Sequence, residues 1–380
     1  MTVAALPAEA VIDLGAVRDN VAALRAAAPG AQLLAVVKAD GYGHGMVPVA
    51  RAALAGGADW LGVAFLTEAM ALRAAGITVP VLAWLVGPAE DLAPAVAAGI
   101  DLGVNAGWAL EAAVAAARTT GRPARLHLKA DTGLSRAGAT AADWPDLVTA
   151  TAKAAAAGSV EVIGVWSHFA YADAPGHPTV AAQLGGFRTA LEVAERAGVR
   201  PELRHLANSA ATLTSPEAHF DLVRPGLAVF GLSPVPAAGG PESFGLRPAM
   251  TLRSSVALAK VVPAGSGVSY GHRYTTERRT RLALVPLGYA DGVPRSATNV
   301  GELLLAGRRR RISGTVCMDQ FVVDVGDDEV AAGEEVVLFG PGDRGEPTAQ
   351  DWAEATGTIS YEIVTRIGAR VPRRYVGLEE

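Results

Sequence analysis

The stretch Leu33-Leu34-Ala35-Val36-Val37-Lys38-Ala39-Asp40-Gly41-Tyr42-Gly43-His44-Gly45 joins an unbroken apolar run to a lysine and then to a glycine-rich turn. A short apolar run closed by turn residues reads as a buried strand of a parallel sheet or barrel. Helix-flanked sheets and barrels bind ligands at the carboxyl ends of their strands, where Lys38 falls. An ammonium beside apolar neighbours loses hydration, so its pKa drops and the amine can act as nucleophile or Schiff-base partner.

The same pattern recurs along the chain beyond this strand. Leu33–Lys38, Trp60–Ala64, Val79–Leu85, Asp101–Val104, Arg125–Lys129, Val162–Ser167, Arg204–Leu206 and Leu222–Phe230 are strand candidates. Alanine-rich amphipathic stretches lie between most of them, such as Leu184, Phe187, Leu191 and Val193, and another with Val17, Val21 and Leu24 at helical spacing precedes the first. Eight strand–helix units predict a (β/α)8 TIM-type barrel over residues 10–235, with an open doubly wound sheet as the rival. Ser233–Pro241, rich in Pro, Ala and Gly, reads as a linker. Beyond it, Val256–Val262, Leu282–Leu287, Leu303–Leu305, Arg311–Val316, Phe321–Val325 and Glu335–Phe339 predict a mostly β C-terminal domain over 241–380. Glu9–Leu14 is also strand-like.

The bulk properties narrow the function classes. A chain of 380 residues exceeds one ordinary core. Half its residues are hydrophobic and 19% are charged, which fits a buried globular enzyme rather than a disordered chain. A net charge of −5 offers no global basic field for nucleic acid, and Arg308–Arg311 reads as a solvated strand edge or an anion-attracting rim. The single cysteine, Cys317, excludes an intrachain disulfide and fits a reducing compartment. With no basic-then-apolar leader and no apolar run long enough for a bilayer, the expectation is a cytoplasmic protein without membrane partners. The seven histidines form no metal-ligand motif.

The lysine segment resembles the cofactor-binding motif of alanine racemases. The resemblance extends through Lys129–Arg136 (KADTGLSR), Trp166–Phe169 (WSHF), His205–Ala210 (HLANSA) and Val223–Gly226 (VRPG). It continues through Val268–Gly271 (VSYG), Gly288–Gly292 (GYADG), Val316–Asp319 (VCMD) and Ser360–Glu362 (SYE). Each block is weak alone, but their order is kept along almost the whole chain. It implies pyridoxal 5'-phosphate as cofactor, alanine as substrate, a homodimer with shared sites, and D-alanine supply for peptidoglycan. It also implies that the N-terminal strand, within residues 1–14, pairs with the β-rich domain.

Residue by residue, the resemblance implies that Lys38 holds the cofactor and serves as base on the D-isomer side. Tyr270 of the partner subunit serves the other face. A tyrosine must drop about two to three pKa units to work near neutrality, and His168 and Arg224 are the cations placed to do that. Arg224 would meet the pyridine nitrogen; being always protonated, it donates there and leaves the nitrogen uncharged. Asn208 and Ser209 at a helix start, with Gly226, Leu227, Tyr42 and Tyr361, would hold the phosphate. Arg136 and the Met318 N–H would take the substrate carboxylate. Lys129 matches a lysine that is N-carboxylated in many members, and its carbamate would position Arg136. Tyr289 and Asp319 would line the entrance. Leu134-Ser135 stands where Met-Gly is commoner, leaving the cationic positions intact. Cys317 reads as a buried apolar residue rather than a catalytic thiol.

The alternatives are a racemase of broader range (serine or lysine), a pyridoxal-phosphate decarboxylase of basic amino acids, and a non-catalytic carrier of the cofactor. Arg224 weighs against the decarboxylase, which meets the ring with a carboxylate. The long β-rich segment weighs against the carrier.

Overall fold

A computed structural model describes residues 8–378; the expectation for residues 1–7 lies outside them. The chain divides into two units, one made of Val17–Gly41 and Met46–Leu246. Among the described residues, the other gathers those up to Ala16, the short stretch Tyr42–Gly45, and those from Arg247 onward.

The first strand, β1 (Ala8–Asp13), belongs to the β-rich unit. The barrel strands are β2 (Gln32–Val36), β3 (Trp60–Val63), β4 (Val81–Ala83), β5 (Asp101–Val104), β6 (Ala124–Lys129), β7 (Val160–Trp166), β8 (Leu203–His205) and β9 (Leu222–Val223). They form one parallel eight-stranded sheet in the order β8-β7-β6-β5-β4-β3-β2-β9, with helices between consecutive strands as a barrel requires. No regular ladder joins β8 to β9. The sheet closes there through Asp221 N–H to Arg204 O at 3.0 Å and Arg224 N–H to Ala207 O at 2.9 Å. The Arg204 guanidinium and Asp221 carboxylate meet beside that seam.

Apolar runs explain the strands: Leu33, Leu34, Leu61, Leu82, Leu102 and Leu126 are almost wholly buried. The last strand is shorter than Leu222–Phe230 suggested, because Pro225 and Gly226 interrupt pairing and Leu227–Phe230 winds into a 3-10 turn.

In the β-rich unit, β1 pairs antiparallel with Met250–Ser255 and parallel with Arg373–Val376 inside a six-stranded sheet. A three-stranded sheet of Leu258–Val262, Thr280–Val285 and Phe321–Gly326 accompanies it. Arg308–Arg311 is one of the two edge strands of the larger sheet, and its side chains engage Glu302, Asp328 and Asp351. Arg311–Val316 is not a strand. Pairing stops after Arg311 apart from a bridge between Ile312 and Val323, and Gly314 turns the chain at φ 87°.

Candidate active site

Lys38 follows the end of β2, and the backbone beyond it is unusual. Ala39, Asp40, Gly41 and Tyr42 all lie in the left-handed region, with φ of 53°, 52°, 60° and 51°. Each non-glycine residue there costs about 1–2 kcal/mol, so the surroundings must hold the turn in place. Gly41 N–H donates to Val37 O at 2.8 Å and Met46 N–H to the Asp40 carboxylate at 2.8 Å. Ala39 N–H donates to Glu68 Oε1 at 2.7 Å, while Glu68 Oε2 accepts from Ala64 and Phe65 at the start of its own helix. No sequence motif marks Glu68, which is one ordinary acidic residue in a helix's first turn.

Around the carboxyl end of the barrel strands the structure gathers four cations. Burial lowers the Lys38 pKa, Arg136 lowers it further, and Glu68 opposes both. Its Nζ lies 5.8 Å from the centre of the Trp84 ring. Lys129, the last residue of β6, is brought down to about 8 by burial first and then by Arg224 and Arg136. Its Nζ stands 4.3 Å over Trp166, whose indole N–H is buried with no acceptor among the described residues. The loop that carries Arg136 is organised by Asp131, whose Oδ1 accepts the N–H groups of Gly133, Leu134 and Ser135.

Arg224 comes directly after β9 and is almost fully buried. Its Nη1 faces His205 Nδ1 at 3.1 Å, and its Nη2 donates to Ser167 O at 2.8 Å and Leu206 O at 3.2 Å. Its Nε donates to no described residue. Burial lowers the group to about 9, which leaves it protonated at neutral pH. His168 differs from expectation: burial, Arg224, Lys129, Arg136 and Lys38 push its pKa well below the ordinary value. A neutral His168 adds no positive charge, so of the two proposed cations only Arg224 carries one.

Asn208 caps the short helix Ser209–Thr214, its side chain accepting Ala211 N–H at 3.1 Å. The Ser209 hydroxyl accepts Gly226 N–H at 2.8 Å and Ala228 N–H at 3.3 Å, bringing these two candidate anion-binding segments together.

In the β-rich unit, the rings of Tyr42 and Tyr361 stand 6.2 Å apart, and burial with Tyr361 nearby raises the Tyr42 pKa. Tyr270 begins a 3-10 turn, Tyr270–His272, which follows Ser269 at φ 61° and ends on His272 at φ 44°, with Thr315 Oγ1 donating to Tyr270 O at 2.7 Å. Its backbone is pinned, yet the residue is 75% exposed. Met318 is 52% exposed, and its carbonyl accepts Ala290 N–H at 3.0 Å. A Cβ at Gly288 would lie 2.3 Å from that carbonyl, so only glycine permits the approach. Tyr289 is partly exposed, and Asp319 pairs with Arg370 at 2.8 Å. Cys317 is half-buried against the Ser269 hydroxyl at 3.3 Å, a more polar setting than expected.

Family models describe both parts of the chain: the alanine racemase N-terminal domain matches 12–234 and the C-terminal domain 249–375. The chain belongs to the alanine racemase family. An alanine racemase of Frankia casuarinae is 72% identical over 97% of this chain and 96% of its own length. One from Thermobifida fusca is 62% identical over 97% and 98%. Among solved structures, the alanine racemase of D-cycloserine-producing Streptomyces lavendulae superposes with a TM-score of 0.98 at 58% identity, covering 99% of both chains. An alanine racemase from Bacillus anthracis with bound L-Ala-P has a TM-score of 0.89 at 36% identity, covering 98% of this chain and 96% of its own. Among the described residues of this family member, no His, Cys, Asp or Glu cluster could hold a metal ion. No described helix is long and apolar enough to cross a membrane.

Proposed function

We infer that the chain interconverts L-alanine and D-alanine, using pyridoxal 5'-phosphate and two proton-handling side chains. The observation that carries this reading is the gathering of Lys38, Lys129, Arg136 and Arg224 at one barrel mouth, in a full-length relative of alanine racemases.

The residues suit the cofactor. Lys38 offers an amine whose pKa is already lowered, as covalent attachment to an aldehyde needs. Ser209 and the backbone around Gly226 offer small groups and N–H donors suited to a phosphate. Arg224 keeps its Nε for an acceptor such as a ring nitrogen. When bound, pyridoxal phosphate spreads the negative charge left at the substrate Cα, which makes that proton removable.

Each side chain then has a task. Arg136 and the Met318 N–H orient the substrate carboxylate. Lys38 moves the Cα proton on the D side, and Tyr270 of the partner subunit moves it on the L side. Inversion requires both because the two faces are opposite. Asn208, Ser209, Gly226, Leu227, Tyr42 and Tyr361 anchor the phosphate. His168 packs near the cofactor as a neutral group. Tyr289 and Asp319, the latter fixed by Arg370, shape the entrance. Arg224 withholds full positive charge from the ring, limiting how long charge persists there and so limiting transamination. Carboxylation of Lys129 would replace a cation beside Arg136 and Arg224 with an anion, removing their repulsion and supplying acceptors. The chain works as a homodimer in the cytoplasm and supplies D-alanine for peptidoglycan.

Incubating the holoenzyme with L-alanine in deuterated water and separating the enantiomers tests the reading. Deuterated D-alanine is expected. Carbon dioxide release from ornithine or lysine instead, or no Cα exchange above free cofactor, would overturn it.

A further inference from the structure

A string of buried polar side chains runs through the barrel away from the mouth. Arg224 Nη1 meets His205 Nδ1 at 3.1 Å, and His205 Nε2 meets His127 Nδ1 at 2.8 Å. His127 Nε2 then meets Asp101 Oδ2 at 3.2 Å. Asp101 and both imidazoles are at most 1% exposed, and Arg224 is 5% exposed. Barrel interiors are ordinarily filled by branched aliphatics, and a polar string is tolerable only when every member is satisfied.

Here the protons can be assigned by elimination. A guanidinium only donates, so His205 Nδ1 must be a bare acceptor. A carboxylate only accepts, so His127 Nε2 must carry hydrogen. The proton shared between the imidazoles then sits on His205 Nε2 and points at His127 Nδ1. Placing it on His127 instead would leave His205 either without hydrogen or with an N–H against the guanidinium. Both imidazoles are therefore neutral, each in its Nε2–H form, and every donor points from Arg224 toward Asp101. Burial, Arg224 and His127 all depress His205, in agreement.

The surrounding backbone is built for this string. The register between β6 and β7 shifts at Leu126/His127, setting His127 opposite Gly164. A Cβ on Gly164 would lie 2.3 Å from His127 Nδ1 and 2.9 Å from His205 Nε2, so a side chain there would part the rings. Trp166 stacks on His205 at 5.7 Å with planes 2° apart, and Trp60 meets His127 edge-on at 5.6 Å. At the far end, Arg125 holds Asp101 through Nε at 2.8 Å and Nη2 at 3.2 Å.

We propose that Asp101 and His127 are positioning residues for Arg224. Through a one-way hydrogen-bond chain anchored at the opposite end of the barrel, they fix the plane and donor direction of its guanidinium. The consequence for catalysis rests on the function inferred above, in which Arg224 faces the cofactor ring; the proton arrangement does not.

Nitrogen NMR of the holoenzyme and of cofactor-free protein, with isotope-labelled histidine, reads the arrangement directly. His127 and His205 should both show protonated Nε2 and bare Nδ1 throughout the neutral range. An Nδ1–H form, or a cationic ring at either position, overturns the proposal even if the protein proves an active racemase. Asp101→Leu, which removes the terminal acceptor, should mix the tautomers and lower kcat about tenfold with little change in KM. Asp101→Asn retains an acceptor oxygen, since the partly exposed Arg125 can turn to water. It should restore the tautomers and most of kcat. Wild-type kinetics in the Asp101→Leu protein, or an Asp101→Asn protein just as impaired, refutes the assignment. Fixed tautomers in a protein that exchanges no alanine proton would sink the function above and leave the hydrogen-bond chain standing.

Discussion

Glu68 accepts the Ala39 N–H at 2.7 Å, tying the residue after Lys38 to the start of the neighbouring helix Leu66–Ala74. One carboxylate thus restrains a left-handed turn and also raises the pKa of the adjacent Lys38 amine. Glu68→Gln removes that charge and leaves one of the three N–H groups badly served. The acid limb of cofactor capture should move to lower pH, because the Lys38 pKa falls further. Unfolding should become easier by about 1–3 kcal/mol. A pH series of cofactor uptake beside a thermal melt checks both, and unchanged values in each would show the tether to be idle.

Lys38→Ala should abolish covalent attachment, so that borohydride leaves no reduced adduct on the protein. Tyr270→Phe should suppress Cα proton exchange from L-alanine far more than from D-alanine; equal losses would argue against separate bases. Mixed subunits of the two variants should regain some activity if Tyr270 serves its partner. No recovery after demonstrated subunit exchange would refute a shared site.

The lowered pKa of Lys129, about 8, has two measurable consequences. The folded protein binds fewer protons than the unfolded chain between that value and the ordinary lysine value of 10.5. Burying the ammonium therefore weakens the fold below about pH 8, and this contribution to stability rises with pH through the window. Lys129→Met should flatten that rise in a stability-against-pH series. A neutral amine also reacts with carbon dioxide, so labelled bicarbonate should give a carbamate signal that Lys129→Met lacks. A signal that survives the substitution would place the modification elsewhere.

Gly288→Ala should displace the Met318 carbonyl, since the new methyl cannot sit 2.3 Å from it. If the Met318 N–H holds substrate, KM for alanine should rise several-fold with cofactor affinity retained. A wild-type KM in a normally folded variant would remove Met318 from substrate binding.

The barrel was legible because unbroken apolar runs such as Leu33–Val37 admit few readings other than buried strands. Lys38 was legible because it follows such a run, whereas Lys129, Arg136 and Arg224 were placed by the family resemblance. Strand ends were less so: Pro225-Gly226 and Gly314 stop pairing inside runs that remain apolar on either side. The interior string escaped notice because its members lie far apart in sequence; His127 and His205 are 78 positions apart. A histidine within an apolar strand gives no sign of which ring it will meet. Glu68 was invisible for the same reason, its contact with Ala39 spanning 29 positions. His168 was misjudged because a motif supplies the side chain but not the neighbouring charges that determine its protonation.

The seam between β8 and β9 is thin, carrying two backbone hydrogen bonds where other neighbours share ladders. Ser209 lies beyond one strand of this seam and Gly226 beyond the other, and the Ser209 hydroxyl links the two by accepting the Gly226 and Ala228 N–H groups. An anion seated between the two segments would act as a rivet, drawing both edges onto one charge. Occupancy and mechanical integrity then become one property, and amide exchange near Arg204 and Arg224 should slow most when the rivet is in place.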